Sequence, residues 1–184
     1  MSVSLEYLQR CSAQTGYAVG PLEKVIRLGE MAGEITRHPL LGRVMALKGG
    51  TALNICYGPP RRLSVDLDFN YIGHLNREKM LEERPKLEDA LIQVAGKKGY
   101  QFQQSADAFA GRKFFLIYRS ATDQNDRIEM DVLYMFRLPV AGRAVRVLWQ
   151  PGELDRPKVR VVSLLEILVG KVLAFLDRSA VRDA

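Results

Sequence analysis

The sequence predicts a mixed α/β (α+β) protein, in which helices flank a sheet. Residues 22–35 carry apolar side chains at spacings of three and four, after a proline at position 21 that suits a helix start. Residues 64–71 instead alternate polar and apolar side chains, as a half-buried strand does. The chain of 184 residues shows neither repeats nor a linker, so we expect residues 1–184 to form a single domain.

Local signals place the other elements of the first half. Residues 44–48 are predicted to form a short strand, and residues 51–57 a short helix. Asn76 is expected to cap the next helix, which runs to residue 98. Pro85 lies within that helix and predicts a kink or a division into two helices, because proline removes a backbone donor.

The second half of the chain is rich in strand signals. Polar residues at 122–126 predict the turn of a hairpin. Ser163 and Glu166 have the spacing of a capping box, so the last helix is expected to begin there. The predicted strands cover residues 100–104, 113–119, 127–134, 145–149 and 159–162.

Composition argues against several classes of protein. Cys11 and Cys56 are far apart and the two histidines are isolated, which argues against a zinc site. Residues 1–20 lack the apolar core of a secretory signal, and the most apolar stretch, 161–176, is short and interrupted by charges. We therefore expect a cytoplasmic protein without a membrane span. The formal charge of +6 is compatible with an anionic partner.

Two carboxylates on the predicted strand 64–71 indicate a metal site. Asp66 and Asp68 are two residues apart, so they share one face of a strand. Close like charges repel unless a cation lies between them. Mg²⁺, or Mn²⁺ in its place, suits such oxygens and keeps free positions for substrate phosphates. A D-x-D pattern alone is common, and an ordinary half-buried strand remains the alternative.

A glycine-rich turn precedes these carboxylates. Gly49 and Gly50 allow a phosphate to approach the backbone closely, and a helix is predicted to begin there. Thr51 adds a hydroxyl, and the helix N-terminus adds a favourable dipole. The order of turn and D-x-D is far more specific than either motif alone, and it predicts a nucleotide-binding site.

These residues resemble a known family, the AbiEii-type nucleotidyltransferase toxins of bacterial abortive-infection and toxin–antitoxin systems, which include the MenT-like toxins. A second match is the leucine-rich segment 163–175 with an internal lysine and a later Arg-Asp pair. The resemblance extends over residues 47–184. The residues that carry its first part are Gly49, Gly50, Thr51, Ala52, Leu53, Arg62, Ser64, Asp66, Asp68 and Phe69.

The resemblance implies a polymerase-β-like fold with a mixed sheet and a metal-dependent reaction. Such an enzyme would transfer NMP from an NTP to an RNA, such as a tRNA 3′ end, and a cognate antitoxin protein would restrain it. Asp66 and Asp68 would hold the metal as catalytic residues. Members of the family continue into further helices, so the chain is expected to lack C-terminal helices.

A third carboxylate is expected from a neighbouring strand. Glu129 and Asp131 share one face of the predicted strand 127–134, and two-metal chemistry uses such a ligand, often as a base too. Asp131 is favoured for catalysis and metal binding because apolar residues follow it into the sheet. Glu129 is the competitor.

Cations on the last helix are candidates for binding the triphosphate. Lys171, Arg178 and Arg182 share one helical face, which is either a phosphate-binding stripe or a solvated surface. The resemblance favours Lys171 as catalytic and nucleotide-binding, with Arg178 a weaker candidate and Asp183 weaker still. Earlier in the chain, Arg62 and Ser64 are expected to position phosphate or to cap the loop.

Two other classes of function fit parts of this pattern. A nucleotide-sugar glycosyltransferase also uses a D-x-D motif to hold a metal and a nucleotide, but the preceding glycine turn argues against it. A non-catalytic nucleotide-binding module would keep the fold and lose turnover, although the intact acids argue against that.

Overall fold

The computed structural model describes residues 3–178, which form one seven-stranded sheet and six helices. The strands are β1 Met45–Lys48, β2 Leu67–Tyr71, β3 Gln101–Gln104, β4 Gly111–Arg119, β5 Asn125–Leu133, β6 Arg143–Val147 and β7 Lys158–Val162. The helices are α1 Leu5–Thr15, α2 Val19–Arg37, α3 Leu41–Val44, α4 Gly49–Cys56, α5 Arg77–Lys97 and α6 Leu164–Arg178.

The sheet is mixed, as the resemblance implied. Its strand order is β3-β4-β5-β2-β1-β7-β6. The central strand β2 runs parallel to β5 and antiparallel to β1, and β1 in turn runs parallel to β7. Strands β1 and β2 are the most buried, and their side chains Leu47, Leu67 and Phe69 lie in the main core. These strands lie at the centre of the sheet because both of their faces must be covered by other parts of the protein.

The N-terminal helix α1 was not predicted from the sequence, although its two ends carry clear signals. The Ser4 hydroxyl accepts a hydrogen bond from the Tyr7 N–H at 3.2 Å, and Gly16 ends the helix with a φ of 77°. Leu8 and Cys11 are its buried residues, and they pack with Leu22 and other residues in a small second cluster. So short an apolar stripe gives a weak periodic signal.

Two predicted boundaries were wrong for reasons of tertiary structure. The strand expected over 64–71 begins at Leu67, because the Asp66 carbonyl accepts a hydrogen bond from the Thr51 hydroxyl. Of the two outcomes expected at Pro85, a kink or a division, the division is wrong, because α5 continues through the proline as one helix. The Arg84 guanidinium donates to the Glu88 carboxylate at 2.8 Å and bridges the turn that contains the proline.

The predicted start of the last helix is confirmed, but its capping box is only half formed. The Ser163 hydroxyl accepts a hydrogen bond from the Glu166 N–H at 3.2 Å. The Glu166 carboxylate accepts from the Ala141 N–H at 2.8 Å, and the Ser163 N–H donates to the Gly142 carbonyl. Glu166 thus fastens α6 to the loop before β6. None of the helices within residues 3–178 is long and apolar enough to cross a membrane.

A buried ion pair within α2 provides a test of the fold. Glu23 and Arg27 are 2% and 8% exposed, and their charged groups lie 2.8 Å apart. Arg27→Met should lower the free energy of unfolding by about 3–5 kcal/mol, because it leaves the Glu23 charge buried and unpaired. Urea denaturation measures this change. The control Arg37→Met removes an exposed partner of Glu34 and should change stability by less than about 1 kcal/mol. Equal losses in both variants would contradict this account.

Candidate active site

The ends of three strands bring the predicted carboxylates together. Asp68 of β2 lies directly opposite Asp131 of β5 in the parallel ladder, and opposite Lys48 of β1 in the antiparallel one. Neighbouring strands are about 4.8 Å apart, so the two acids are adjacent although 63 positions separate them in the sequence. Asp66 is exposed and lies just before β2. Its charge affects the pKa of both other aspartates, so all three lie near one another.

Gly49 joins β1 to α4 directly against the Asp68 carboxylate. Its φ of 73° lies in the left-handed region, which favours glycine. A Cβ at this position would lie 2.2 Å from the Asp68 Oδ2 atom, closer than any real contact. The position therefore needs glycine twice over, for its backbone conformation and for the approach of Asp68.

The glycine turn also forms the N-terminus of α4. This helix begins at Gly49, and Lys48 at the N-cap position makes no side-chain capping hydrogen bond. The first N–H groups of a helix have no carbonyl partner within it, and they carry the positive end of its dipole. These N–H groups can therefore receive a phosphate beside Asp68, as was expected from Gly49 and Gly50.

The Thr51 hydroxyl has a structural role, whereas it was expected to bind phosphate. Thr51 is only 1% exposed, and its hydroxyl lies 2.9 Å from the Ser64 hydroxyl while also bonding the Asp66 carbonyl. A hydroxyl with one proton and two such partners is not open to a phosphate. Thr51 and Ser64 together tie the glycine turn to the segment that carries Asp66, which fits the expected loop-capping role of Ser64.

Burial and mutual repulsion both disfavour the charged carboxylates. Burial raises the pKa of Asp68, the charges of Asp131 and Asp66 raise it further, and Lys48 and Lys113 oppose the shift. The pKa of Asp131 is also raised, first by burial and then by Glu129 and Asp66. These carboxylates are therefore undercompensated by the protein's own cations, which favours a bound cation.

Lys113 is a site residue that sequence reasoning missed. It lies on β4 directly opposite Asp131, and its Nζ atom is 3.1 Å from Glu129 Oε2 and 3.7 Å from Asp131 Oδ2. The hydrogen bond to Glu129 raises the pKa of Lys113. The predicted hairpin could not have revealed it, because a turn at 122–126 pairs position 113 with 135. In the structure β5 already begins at Asn125, opposite Arg119, and this shifted register brings Lys113 opposite Asp131.

The two candidates for the third carboxylate have different surroundings. Glu129 bonds both Lys113 and Arg127, at 3.1 and 2.8 Å, and the Lys113 hydrogen bond lowers its pKa. Asp131 lies in register with Asp68 and its pKa is raised. The charge of Glu129 is already neutralised, whereas that of Asp131 is available to a cation. This contrast favours Asp131.

The predicted cations lie apart from this cluster. Arg62 is exposed, and neither it nor Lys171 makes a hydrogen bond or ion pair with another residue in the range 3–178. Lys171 follows the buried Ile167 by one turn of α6, on the side of the helix that packs toward the core. The side chain of Arg178 lies outside what the structure describes, as do Arg182 and Asp183.

The residues present fit a divalent metal only together with a substrate. Among residues 3–178, no three histidine, cysteine, aspartate or glutamate side chains converge closely enough to hold a metal ion. Asp68 nevertheless points at the glycine turn, occupying the space that a side chain at Gly49 would fill. Mg²⁺ is commonly held by one or two carboxylates plus substrate phosphates, and this arrangement of oxygen donors fits that pattern.

Comparisons with known proteins agree with this geometry. Residues 35–184 match the family of nucleotidyl transferase AbiEii toxins of type IV toxin–antitoxin systems. A search of the curated proteins finds no match. The chain is similar to the solved structure of JHP933 from Helicobacter pylori, with 20% identity and a TM-score of 0.56 over 88% of this chain and 61% of that one. It is also similar to MenT4, a nucleotidyltransferase toxin from Mycobacterium tuberculosis, with 20% identity and a TM-score of 0.57 over 95% of this chain and 59% of that one.

At 20% identity, the similarity to these structures shows the fold, and it confirms the mixed α/β class predicted from the sequence. The chain spans 59–61% of the length of these two structures. The family match covers most of the chain and includes the glycine turn, all three aspartates and Lys113. The chain therefore belongs to the AbiEii family of nucleotidyltransferase toxins.

Proposed function

We propose that this protein transfers an NMP group from an NTP to a hydroxyl of an RNA acceptor, such as a tRNA 3′ end. The observation that carries the proposal is the alignment of Asp68 and Asp131 beside a glycine turn at an uncapped helix N-terminus. Nucleotidyl transfer needs carboxylates beside a phosphate-binding turn, because the reaction depends on positioning a triphosphate and balancing its charge.

The chain's own groups divide this work between them. The backbone N–H groups of Gly49, Gly50 and Thr51 bind the phosphates at the positive end of α4. Asp66, Asp68 and Asp131 are the residues that would hold Mg²⁺ or Mn²⁺, one or two of them at a time together with substrate phosphates, and the metal would supply positive charge for the transfer. Asp131 is also assigned as the group that accepts the proton of the attacking hydroxyl.

Four cations are assigned to the remaining phosphate charge. Lys113 already lies beside the carboxylates, and its ammonium group balances them before substrate arrives. Lys171 lies on α6, which contacts α4, and Arg62 is exposed just before Ser64. Neither pairs with an acid among residues 3–178, so both are assigned to the triphosphate. Arg178 is the weaker candidate, and its side chain lies outside what the structure describes.

The acceptor and partner complete the proposal. The formal charge of +6 favours an acceptor with a phosphate backbone, since neutralising phosphates releases counterions. Membership of a toxin–antitoxin family supports a cognate antitoxin protein that restrains the enzyme in the cytoplasm.

A transfer assay tests reaction and acceptor together. The purified protein is incubated with each α-labelled NTP, Mg²⁺ and total RNA, and the labelled RNA is separated by size. We expect label from one NTP to appear in a discrete class of RNA and to disappear with EDTA. A parallel reaction contains a labelled nucleotide sugar in place of the NTP. Transfer of label from the sugar nucleotide, or no labelled RNA with any NTP, would contradict the proposal.

Lys113 provides a prediction that the sequence alone did not. Lys113→Met should lower kcat/KM for the NTP by about ten- to a hundredfold, because one well-placed charge near the reacting phosphates is lost. Steady-state transfer kinetics measure this. The matched control is Lys24→Met, which removes a lysine that pairs with Asp126 near the start of β5, at 2.8 Å. Wild-type kinetics for Lys113→Met would place this lysine outside the reaction.

A further inference from the structure

A second charged cavity lies at the opposite end of the central strands from the carboxylates. It has a volume of about 540 Å³, within the usual range of ligand sites. Ile72 and Gly73, which follow β2, form part of its wall, whereas Asp68 is near the start of that strand. The charged and polar residues of this arginine cavity are Thr36, Arg37, His38, Arg43, Arg143 and Arg160.

Positive charge exceeds negative charge around the arginine cavity. Arg37 pairs with Glu34 at 2.8 Å, and Arg43 pairs with Glu83 at 2.7 Å. Arg143 and Arg160 have no carboxylate partner among the described residues, and no acidic side chain lines the cavity there. Two guanidinium groups therefore face the cavity without a counter-charge from the protein.

Arg160 is held in place in the wall. Its Nη1 atom donates to the Arg43 carbonyl at 3.1 Å, and its backbone N–H donates to the Thr36 hydroxyl at 3.4 Å. Burial and the neighbouring charge of Arg143 lower the pKa of Arg160. Two like charges held this closely repel each other, and an anion between them relieves the repulsion.

His38 contributes a further donor. Its Nδ1 atom accepts hydrogen bonds from the Leu40 and Leu41 N–H groups, each at 3.3 Å. A neutral ring that accepts at Nδ1 carries its proton at Nε2. The cavity thus combines planar guanidinium groups with an N–H donor, a set that suits phosphate oxygens.

We infer that the arginine cavity binds phosphate groups of the RNA backbone and is a second contact for the acceptor, distinct from the carboxylate site. The inference rests on the proposed function in one respect, that the acceptor is RNA. A protein partner fits less well, because interfaces between proteins centre on apolar anchors and Pro39 and Ile72 are the main apolar residues here. Four residues of extended strand, roughly 13 Å, separate Asp68 from Ile72, a distance that a tRNA-sized acceptor easily spans.

The test compares two variants that each remove two positive charges. Arg143→Gln/Arg160→Gln changes the cavity. Arg10→Gln/Arg146→Gln removes two arginines that stack on Tyr7 and Tyr57 elsewhere on the surface. The Kd for labelled tRNA is measured by filter binding without NTP at several KCl concentrations. We expect the cavity variant to bind about tenfold more weakly, with its salt slope reduced by about 2, and the control to change far less.

Arg143→Gln alone protects the test against misfolding, because this exposed side chain makes no hydrogen bond to the described residues. For this variant, the slope of log K for tRNA against log [KCl] should fall in magnitude by about 1. Equal Kd and slope in wild type and the cavity variant would overturn the inference. The inference would also be overturned if the cavity variant kept wild-type RNA binding but lost binding to ATP or to polyglutamate. Loss of ATP binding would assign the cavity to free nucleotides, and loss of polyglutamate binding would assign it to an acidic protein.

The two proposals fail separately. If the wild-type protein labels RNA but the cavity variant keeps the wild-type KM for RNA and the wild-type Kd, only the arginine-cavity inference fails. If the wild-type protein labels no RNA, the proposed function fails whatever the filter-binding result.

Discussion

Asp68→Ala is expected to lower nucleotidyl transfer at least about a thousandfold while leaving the fold intact. Asp68 is the carboxylate that faces both the glycine turn and Asp131, so its loss removes the link between metal and phosphate. The free energy of unfolding without metal should stay level or rise, because burial and like charges both oppose the ionised Asp68. Transfer kinetics and urea denaturation measure the two effects.

The control for this variant is Asp89→Ala, which removes an exposed acid from α5 and should leave transfer unchanged. The same assay decides the third carboxylate. Asp131→Ala is expected to lose activity to a similar extent, whereas Glu129→Ala should lose much less, because Lys113 and Arg127 already neutralise Glu129. Wild-type turnover in Asp68→Ala, or a larger loss in Glu129→Ala than in Asp131→Ala, would contradict the assignment of these acids.

Gly49→Ala is expected to lower transfer by about a hundredfold. The added Cβ would lie 2.2 Å from Asp68 Oδ2, so the carboxylate must move by about 1 Å, and such a displacement of a catalytic group has a cost of that order. The φ of 73° adds roughly 1 kcal/mol of backbone strain for any other residue. Transfer kinetics and thermal unfolding separate the two consequences.

Gly16→Ala is the matched control for backbone strain. Gly16 has a φ of 77°, and a Cβ there would meet nothing within 4 Å. It should therefore reproduce the loss of stability and retain activity. Equal loss of activity in both variants would mean that the effect of Gly49→Ala comes from stability and not from Asp68.

The sequence by itself determined the local parts of the site. A glycine pair before a helix and two acids on or beside a strand depend on spacing along the chain, which a single sequence records. Gly49, Gly50, Asp66 and Asp68 could therefore be assigned without a structure. The same holds for the mixed α/β class and for the helix start at Ser163, because hydrophobic period and capping are local properties.

Only the tertiary structure decided how distant residues meet. The pairing of Asp68 with Asp131 depends on β2 and β5 lying side by side, and strand order is not recorded in local periodicity. A second pairing, of β4 with β5, brought Lys113 to the carboxylates and distinguished Asp131 from Glu129 by their neighbours.

Tertiary contacts also overrode local preference at two places. The Thr51 hydroxyl bonds the Asp66 carbonyl and so delays the start of β2, and the Arg84–Glu88 bridge lies across Pro85 in an unbroken α5. The Thr51 contact joins positions 15 apart, and Arg84 also donates to the Ala108 carbonyl at 3.1 Å, so in both cases a partner distant in the sequence contributes. Local spacing thus predicted the candidate site residues, and long-range pairing decided which of them lie together.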